Sequence, residues 1–586
     1  MGKLNILQFS SKIRGVNVTE QQGSPNPKPK KKNTRAMIIA IVVVVVVIIA
    51  AVVVVVEVTK VPTPTPSKDV EFYTWWATTG KVALDHLAPN FTKATGLTVV
   101  PYISPGAGGT NAIYAILSLI EAGKPPATFQ VHYGPAMISY DEAAPNGISS
   151  FVSMNSAAYS LNMVNNSFPE ALEAGEFNGL MESMPVNLHQ GAQLFFNPTL
   201  LKKEGLPEPT NLSLLISDTE ALHSKGIYAW IIPGGDGGWD QLNVWEDVFL
   251  SLAGGKMYDE FMYGTLNTSN PAVVNLFKET NNIYSLFQND SYPGEESMTW
   301  TEAIPVLTGG TVAFQVNGNW YTNYAYDFLN VTNYPATAPY DNNITVANYT
   351  NPYPVTYHGA NISLMSMDFP GTSKYFVEVV DSVAVPVGPT QANGMTFAKY
   401  FASYAGQLIW TKWKAVTFYN NITTDYFNTP AQWASYQQAL ADESNASAWL
   451  YQLSDGGLAA GPLEAADTAM STFSESFTAS SGSAAYSAAS SVLIKLMDSV
   501  ISSENATWQA ANRLGLGYMG SPGHPFGNYL PYWANTSANR TSSGPVVPYS
   551  LSSVSSGVVY YNLSPISLLY LQNFISAQVS KFSSAW

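Results

Sequence analysis

Cysteine is absent and charge is scarce: Asp, Glu, Lys and Arg together make 11% of 586 residues. The first absence excludes a disulfide framework and thiolate metal sites, so a stable fold must rest on buried cores. Basic residues are concentrated at one end. Residues 1–36 hold 8 of the 26 Lys and Arg, and the remainder sets 18 basic against 40 acidic residues, a formal −22. Such a chain repels phosphate backbones, which argues against nucleic acid as a partner. The six His are scattered without a His-x-x-x-His pair, so no metal site and no cofactor are expected. Gly106 to Gly109 lack a following Lys-Ser/Thr, so they form no phosphate-binding loop; they read as a turn that opens a helix.

What is present begins with Met37 to Val56, twenty residues that are all Ala, Ile, Val or Met. At ~1.5 Å per residue this run matches a hydrocarbon core about 30 Å thick, so one transmembrane anchor is predicted. Lys28, Lys30, Lys31, Lys32 and Arg35 flank it and place residues 1–36 inside, with everything after Val56 extracellular. Glu57-Val58-Thr59-Lys60 offers no small-residue cleavage site. Beyond the run stand Asn-x-Ser/Thr acceptor sites at Asn90, Asn165, Asn211, Asn267, Asn289, Asn330, Asn343, Asn348, Asn361, Asn421, Asn445, Asn505, Asn535, Asn539 and Asn562, which predict a glycoprotein. Low charge with 13% aromatics suits an acidic exterior, where carboxylates are partly protonated and surface ion pairs unreliable.

Pro62-Thr63-Pro64-Thr65-Pro66 reads as an extended spacer within a stalk over 57–69. Folded sequence then starts near Val70. Val70–Trp76 is strand-like, Val82–Thr95 has helical spacing ending at Gly96, and Leu97–Ile103 is a second strand. A helix from Asn111 to Ala122 and a strand at Thr128–Val131 complete a strand–helix rhythm that predicts an α/β lobe with parallel pairing. Glu182–Asn187 and Gln193–Asn197 read as strands and Leu212–Lys225 as a helix, and the chain is expected to be mainly helical after about Asp259. Residues 330–362 read as a glycosylated surface insertion. Residues 470–510 fit either helices or a polar linker.

A series of fragments in order carries a family resemblance. They are Phe72-Tyr73-Thr74-Trp75-Trp76, Gly106-Ala107-Gly108-Gly109, Thr128-Phe129-Gln130-Val131-His132, Pro185-Val186-Asn187-Leu188-His189 and Gly238-Trp239 with Trp245-Glu246. Trp300-Thr301-Glu302-Ala303, Gly318-Asn319-Trp320 and Asp381-Ser382 follow. Over about residues 70–465 the chain resembles the sugar-binding proteins of ABC importers, in the glucose and oligosaccharide branch, of the archaeal type with an N-terminal membrane anchor. The resemblance implies an α/β, two-lobed periplasmic-binding-protein-like clamshell, preceded here by one transmembrane helix. Residues 70–185 with about 381–430 would form the first lobe. Residues 186–380 with about 431–586, including a helical C-terminal extension, would form the second. It implies a sugar ligand and ABC transporter permease subunits as partners.

A pyranose presents apolar C–H faces and a rim of hydroxyls, so its site needs flat aromatics and side chains that donate and accept. Trp75 and Trp76 supply aromatics at a strand end; alternation along a strand lets one of them face the ligand. By the resemblance, Gln130, His132 and His189 reach ligand hydroxyls, Trp320 forms an aromatic wall, Asp381 accepts hydroxyls and Lys414 matches a ligand-binding Lys by spacing. Trp239, after the pairs Gly234-Gly235 and Gly237-Gly238, either approaches the ligand or packs beneath the loop. Where relatives of the glucose branch carry a His ahead of a Gly, this chain has Asp455 before Gly456, which leaves the sugar's identity open.

Two other functions use parts of the same pattern. A surface glycosidase needs two opposed carboxyls, and acidic residues are sparse in sequence near the aromatic motifs. A filament subunit would use the basic segment and apolar run as a pilin-type signal, with Arg35-Ala36 as processing site, so retention of residues 1–36 stays open.

Overall fold

The computed structural model describes residues 67 to 562 apart from 107–108, 174, 178–179, 337–361, 415, 444, 446–447, 480–482, 514–549 and 556–557. The span Met37–Val56, its basic flank and nearly all of the stalk lie outside the described residues, as does most of the insertion expected at 330–362. Among the described residues no helix is long and apolar enough to cross a membrane.

The chain opens with β1 (Asp69–Thr74), α1 (Thr79–Thr95), β2 (Thr98–Ile103), α2 (Thr110–Glu121) and β3 (Thr128–His132). Helix α1 stops at Gly96, whose left-handed φ of 74° turns its N–H back onto the Thr92 carbonyl. Three short strands follow: β4 (Ser183–Pro185), β5 (His189–Gln190) and β6 (Gln193–Phe196). Next come α3 (Trp239–Ala253), β7 (Phe314–Asn317), α4 (Trp320–Leu329), β8 (Tyr334–Pro335), β9 (Met365–Asp368), β10 (Phe376–Val379) and β11 (Asp381–Ala384). The elements used below end with α5 (Tyr404–Trp413), β12 (Trp449–Tyr451), α6 (Ala460–Ala479) and α7 (Ser483–Arg513).

These strands form three sheets that share the chain rather than divide it. A five-stranded sheet has the order β2-β1-β3-β11-β4, a four-stranded sheet β8-β9-β6-β7, and a three-stranded sheet β12-β10-β5. β1 is parallel to β2 and β3, as the strand–helix rhythm predicts, and β11 joins antiparallel to β3, with β4 beyond it at the edge. The backbone passes from the five-stranded sheet through β5 into the four-stranded sheet within residues 183–196. It leaves the three-stranded sheet at Val379 and enters the five-stranded one at Asp381, with Val380 alone between. Antiparallel register then sets Asp381 opposite His132 and Val379 opposite His189.

Several sequence expectations change here. The chain after Asp259 is not only helical: β7, β9, β10, β11 and β12 lie in it, each three or four residues long and buried throughout. Such strands are too short for a period to stand out and have no exposed face to mark it, so period-2 reading misses them. Strand β1 ends at Thr74, before both tryptophans. Residues 470–510 resolve to α6 and α7, which pack on each other, with α6 also against α3. Of the acceptor sites, Asn90, Asn165, Asn211, Asn267, Asn289, Asn330, Asn421 and Asn445 are exposed and Asn505 half-buried; Asn343, Asn348, Asn361, Asn535 and Asn539 lie outside the described residues.

Candidate functional site

A cavity of about 350 Å³ opens where the three sheets meet, a size within the ordinary range for small-molecule sites. It is lined by Trp75, Trp76, His132, His189, Trp239, Trp320, Asp381 and Lys414, eight of the nine residues singled out in the sequence. Gln130, the ninth, is fully buried behind the wall. Its amide Nε2 donates to Asp381 Oδ1 at 2.7 Å, while its Oε1 accepts from the Trp75 backbone N–H at 3.2 Å and from the Thr74 hydroxyl. It therefore acts by holding Asp381 and the start of the tryptophan loop.

Asp381 is the most heavily supported side chain of the group. The Asn187 side chain bridges it, donating to Oδ2 at 2.9 Å and accepting from its backbone N–H at 2.9 Å. His189 Nε2 lies 3.5 Å and Lys414 Nζ 3.9 Å from Oδ2. Burial works to raise this carboxyl, yet hydrogen bonding and the nearby cation win and hold it well below the usual carboxylate range. A carboxylate oxygen has room for more than one donor, so both oxygens can accept further hydrogen bonds.

Lys414 follows α5 and donates to His189 Nε2 at 2.9 Å. That bond makes Nε2 an acceptor, so Nδ1 carries the proton and donates to Asn319 Oδ1 at 2.8 Å. Burial, and then the Lys414 charge, push the His189 pKa down to about 4, so the close His–Asp approaches are not ion pairs. His132 is likewise lowered by burial. Lys414 Nζ also sits 5.9 Å from the Trp76 ring centre and 6.0 Å from that of Trp320, at the outer edge of cation–π range.

The aromatics line the cavity as two pairs. Because β1 has already ended, Trp75 and Trp76 are not bound by strand alternation, and both reach the cavity, contrary to the expectation that only one would. Trp76 also packs on Trp410 at 4.5 Å between ring centres, and Trp75 meets His132 edge-on at 4.9 Å. Gly109, with φ 98°, lets the next loop close over Trp75, since a Cβ there would fall 2.9 Å from its ring. The second pair is Trp239 and Trp320, 6.0 Å apart and inclined by 30°, forming an apolar cluster with Val379. Trp239 thus both lines the cavity and packs on Trp320 and Val379.

Asp455, Asp236, Trp300 and Thr301 are among the further residues that line the cavity and were not expected in the site. The signal for Asp236 was present, since it lies between the two glycine pairs that free the loop around it. Its Oδ2 accepts from the Trp300 backbone N–H at 2.8 Å. The impression that carboxyls are sparse near the aromatics is corrected by the fold: Asp236, Asp240, Asp381, Asp455 and Asp467 converge there from distant parts of the chain. Burial raises the carboxyl pKa of Asp236, Asp240, Asp455 and Asp467. Among the described residues no group of His, Cys, Asp and Glu is arranged to hold a metal ion.

Comparison with known proteins accords with this geometry. The family profile of bacterial extracellular solute-binding proteins matches residues 75–365. The glucose-binding protein GlcS of Saccharolobus solfataricus is 46% identical over 466 residues, covering 79% of this chain and 79% of the relative. Among solved structures, a bacterial solute receptor described as exclusive for β-D-galactopyranose superposes with a TM-score of 0.56 at 13% identity, over 74% of this chain and 99% of the other. A chitin oligosaccharide binding protein does so with a TM-score of 0.56 at 16% identity, over 75% and 99%. At those identities the two structures establish the α/β fold alone.

Proposed function

We propose, for a chain that belongs to the bacterial extracellular solute-binding proteins and is a receptor of the sugar ABC-transporter type rather than an enzyme, that the cavity captures one neutral sugar between its tryptophan walls. The observation that carries this is the pairing of Asp381 with Lys414 on the cavity floor. The cation is met by an anion 3.9 Å away, so Lys414 is not left for an anionic ligand to neutralise, and both retain hydrogen-bonding capacity suited to hydroxyls. Asp381, Lys414, His132 and His189 would bind the hydroxyl rim, and Trp75, Trp76, Trp239 and Trp320 the C–H faces. Gln130 positions rather than touches.

Glucose is the first candidate, from the name of the relative. The five- and four-stranded sheets would belong to two lobes of a clamshell, hinged where the backbone changes sheets at residues 186–192 and at Val380. The proposed lobes are residues 70–185 with about 381–430, and residues 186–380 with about 431–586. Met37–Val56 would tether the receptor to the membrane and hold the folded part outside, near its permease, and the eight exposed acceptor Asn would carry glycans. The glycosidase and filament alternatives lose support because the relative and the fold neighbours are described as solute-binding proteins.

Calorimetric titration of residues 68–586 with a panel of mono- and disaccharides tests this reading. Saturable binding without product is expected, with glucose among the binders. Turnover, or silence across the panel, overturns it.

A further inference from the structure

Asp455 ends a one-turn helix, Leu453–Asp455, that follows β12. The next residue is Gly456 with φ 109°, where a Cβ would fall 2.7 Å from Cβ of His132, so the turn is pressed directly onto the end of β3. This contact carries Asp455 into the cavity at 5% exposure. Its Oδ1 accepts a long hydrogen bond of 3.3 Å from the Trp239 indole N–H and lies 3.9 Å from His132 Nε2. The same His132 nitrogen is 3.8 Å from Asp381 Oδ1, so two carboxyls flank one neutral imidazole.

The two carboxyls have opposite surroundings. Asp381 holds amide donors from Gln130 and Asn187 and stands beside Lys414. Asp455 faces Glu246 and Asp240 from α3, Asp467 from α6 and Asp381 from β11, with His132 neutral and Lys414 the one cation of the group. Glu246 has already taken the local donors, namely the Ser454 hydroxyl at 2.6 Å, the Gln452 amide at 3.0 Å and the Tyr258 hydroxyl at 3.1 Å. An ionised Asp455 would be a buried anion among carboxyls, held only by two long contacts, from the Trp239 indole at 3.3 Å and from the Ser454 hydroxyl, already shared with Glu246, at 3.5 Å.

We propose that Asp455 meets the ligand as a carboxylic acid whose O–H donates to a sugar hydroxyl, while Asp381, across His132, accepts from the sugar as a carboxylate. This rests on reading the cavity as a sugar site. It adds a division of labour: one carboxyl of the pair donates and the other accepts, so the site selects a ligand that offers an acceptor and a donor hydroxyl side by side. Burial, then the charges of Glu246 and Asp381, hold the Asp455 carboxyl above its ordinary range, in keeping with the donor role. Capture therefore weakens as pH rises, because deprotonation removes the donor and sets an anion against the ligand oxygen.

The test titrates glucose and the sugar panel into the wild type, Asp455→Asn and Asp455→Ala between about pH 4 and about pH 9. Asn keeps a donor at every pH, so the ratio of wild-type to Asp455→Asn affinity should fall about tenfold or more across that range, and Asp455→Ala should bind weakly throughout. Identical pH profiles for wild type and Asp455→Asn, or wild-type affinity in Asp455→Ala, overturn the donor role while leaving the sugar site intact. Silence of the wild type across the panel overturns both. Independently of any ligand, carboxyl-labelled aspartate observed by carbon NMR should show one resonance, missing in Asp455→Asn, at a protonated-acid shift near about pH 5. A carboxylate shift there overturns the proposal.

Discussion

Lys414 donates to Nε2 of His189 across 2.9 Å, joining the residue after α5 to a strand 225 positions earlier in the chain. This bond fixes the His189 tautomer and keeps the imidazole neutral beside an ionised Asp381. Lys414→Met removes both effects. Sugar affinity should fall by about tenfold or more, and the His189 pKa should climb from about 4 toward the ordinary histidine range once the nearby charge is gone. Calorimetry and histidine NMR check the two outcomes together; unchanged affinity would remove Lys414 from the site.

Trp320 is only 8% exposed and packs against Trp239 and Val379. Trp320→Ala should therefore abolish binding and also lower stability, by about 3–5 kcal/mol if the cavity it leaves does not collapse. Trp320→Phe keeps most of the packing and should separate the two effects, with a melting temperature near wild type and intermediate affinity. Wild-type affinity in the Ala variant would show that no sugar stacks on this indole.

Gln130 lies behind the cavity wall, so its effect on ligand must pass through Asp381. Gln130→Leu deletes the 2.7 Å hydrogen bond to Oδ1, and the Asp381 pKa should rise from its depressed position. A lowered carboxyl loses its contribution as pH falls through its pKa, so the acid limb of sugar affinity should move to higher pH in the variant. A uniform loss of affinity with no such displacement would assign Gln130 a packing role only.

Stability should depend on pH in the sense opposite to most proteins. Burial raises Asp141 and Glu246 to about 7 and Asp259 and Glu504 to about 8. Glu182 is raised well above its ordinary range too, by burial and then by the nearby Asp141 charge. A carboxyl with a raised native pKa binds its proton more tightly when folded. Its stabilisation is complete below the unfolded value and is lost as pH climbs through the folded one. Lowered His132 and His189 act in the other direction at lower pH but are outnumbered. The urea midpoint should thus decline from about pH 4 to about pH 8, and less steeply in Asp141→Asn. A maximum near neutrality would contradict both this and the acidic exterior read from composition.

Gly456 combines a φ of 109° with a Cβ position 2.7 Å from Cβ of His132. Gly456→Ala should cost about 1–3 kcal/mol in backbone strain and separate Asp455 from His132, lowering affinity together with the melting temperature. A variant with wild-type stability would show that the turn relaxes without penalty.

The parallel strands β1 to β3 and the helices between them were legible because each alternates or repeats over a long enough window, with Gly96 marking a stop. The strands after Asp259 were not: at three or four buried residues each, they are too short for a period to stand out, and their existence depends on partners far away. The residues of the site were legible through ordered motifs, yet their chemistry was not. Nothing local distinguishes Asp381 from Asp455. One stands beside Lys414 and takes donors from Asn187 and Gln130, the other faces carboxyls from α3 and α6, and of these neighbours Asn187, Gln130 and α3 come from distant parts of the chain.

By itself, then, the sequence determined what composition and local period can determine: an apolar run long enough to span a bilayer, an acidic chain without cysteine, an α/β beginning, and the residue types a sugar needs. Tertiary structure decided which carboxyl keeps its proton, that both Trp75 and Trp76 reach the cavity, and that Gln130 stands behind the wall. The reason is physical. Protonation and orientation are set by burial and by neighbours across strands, and the pairing of β11 with β3 brings those neighbours from positions about 250 residues apart into register.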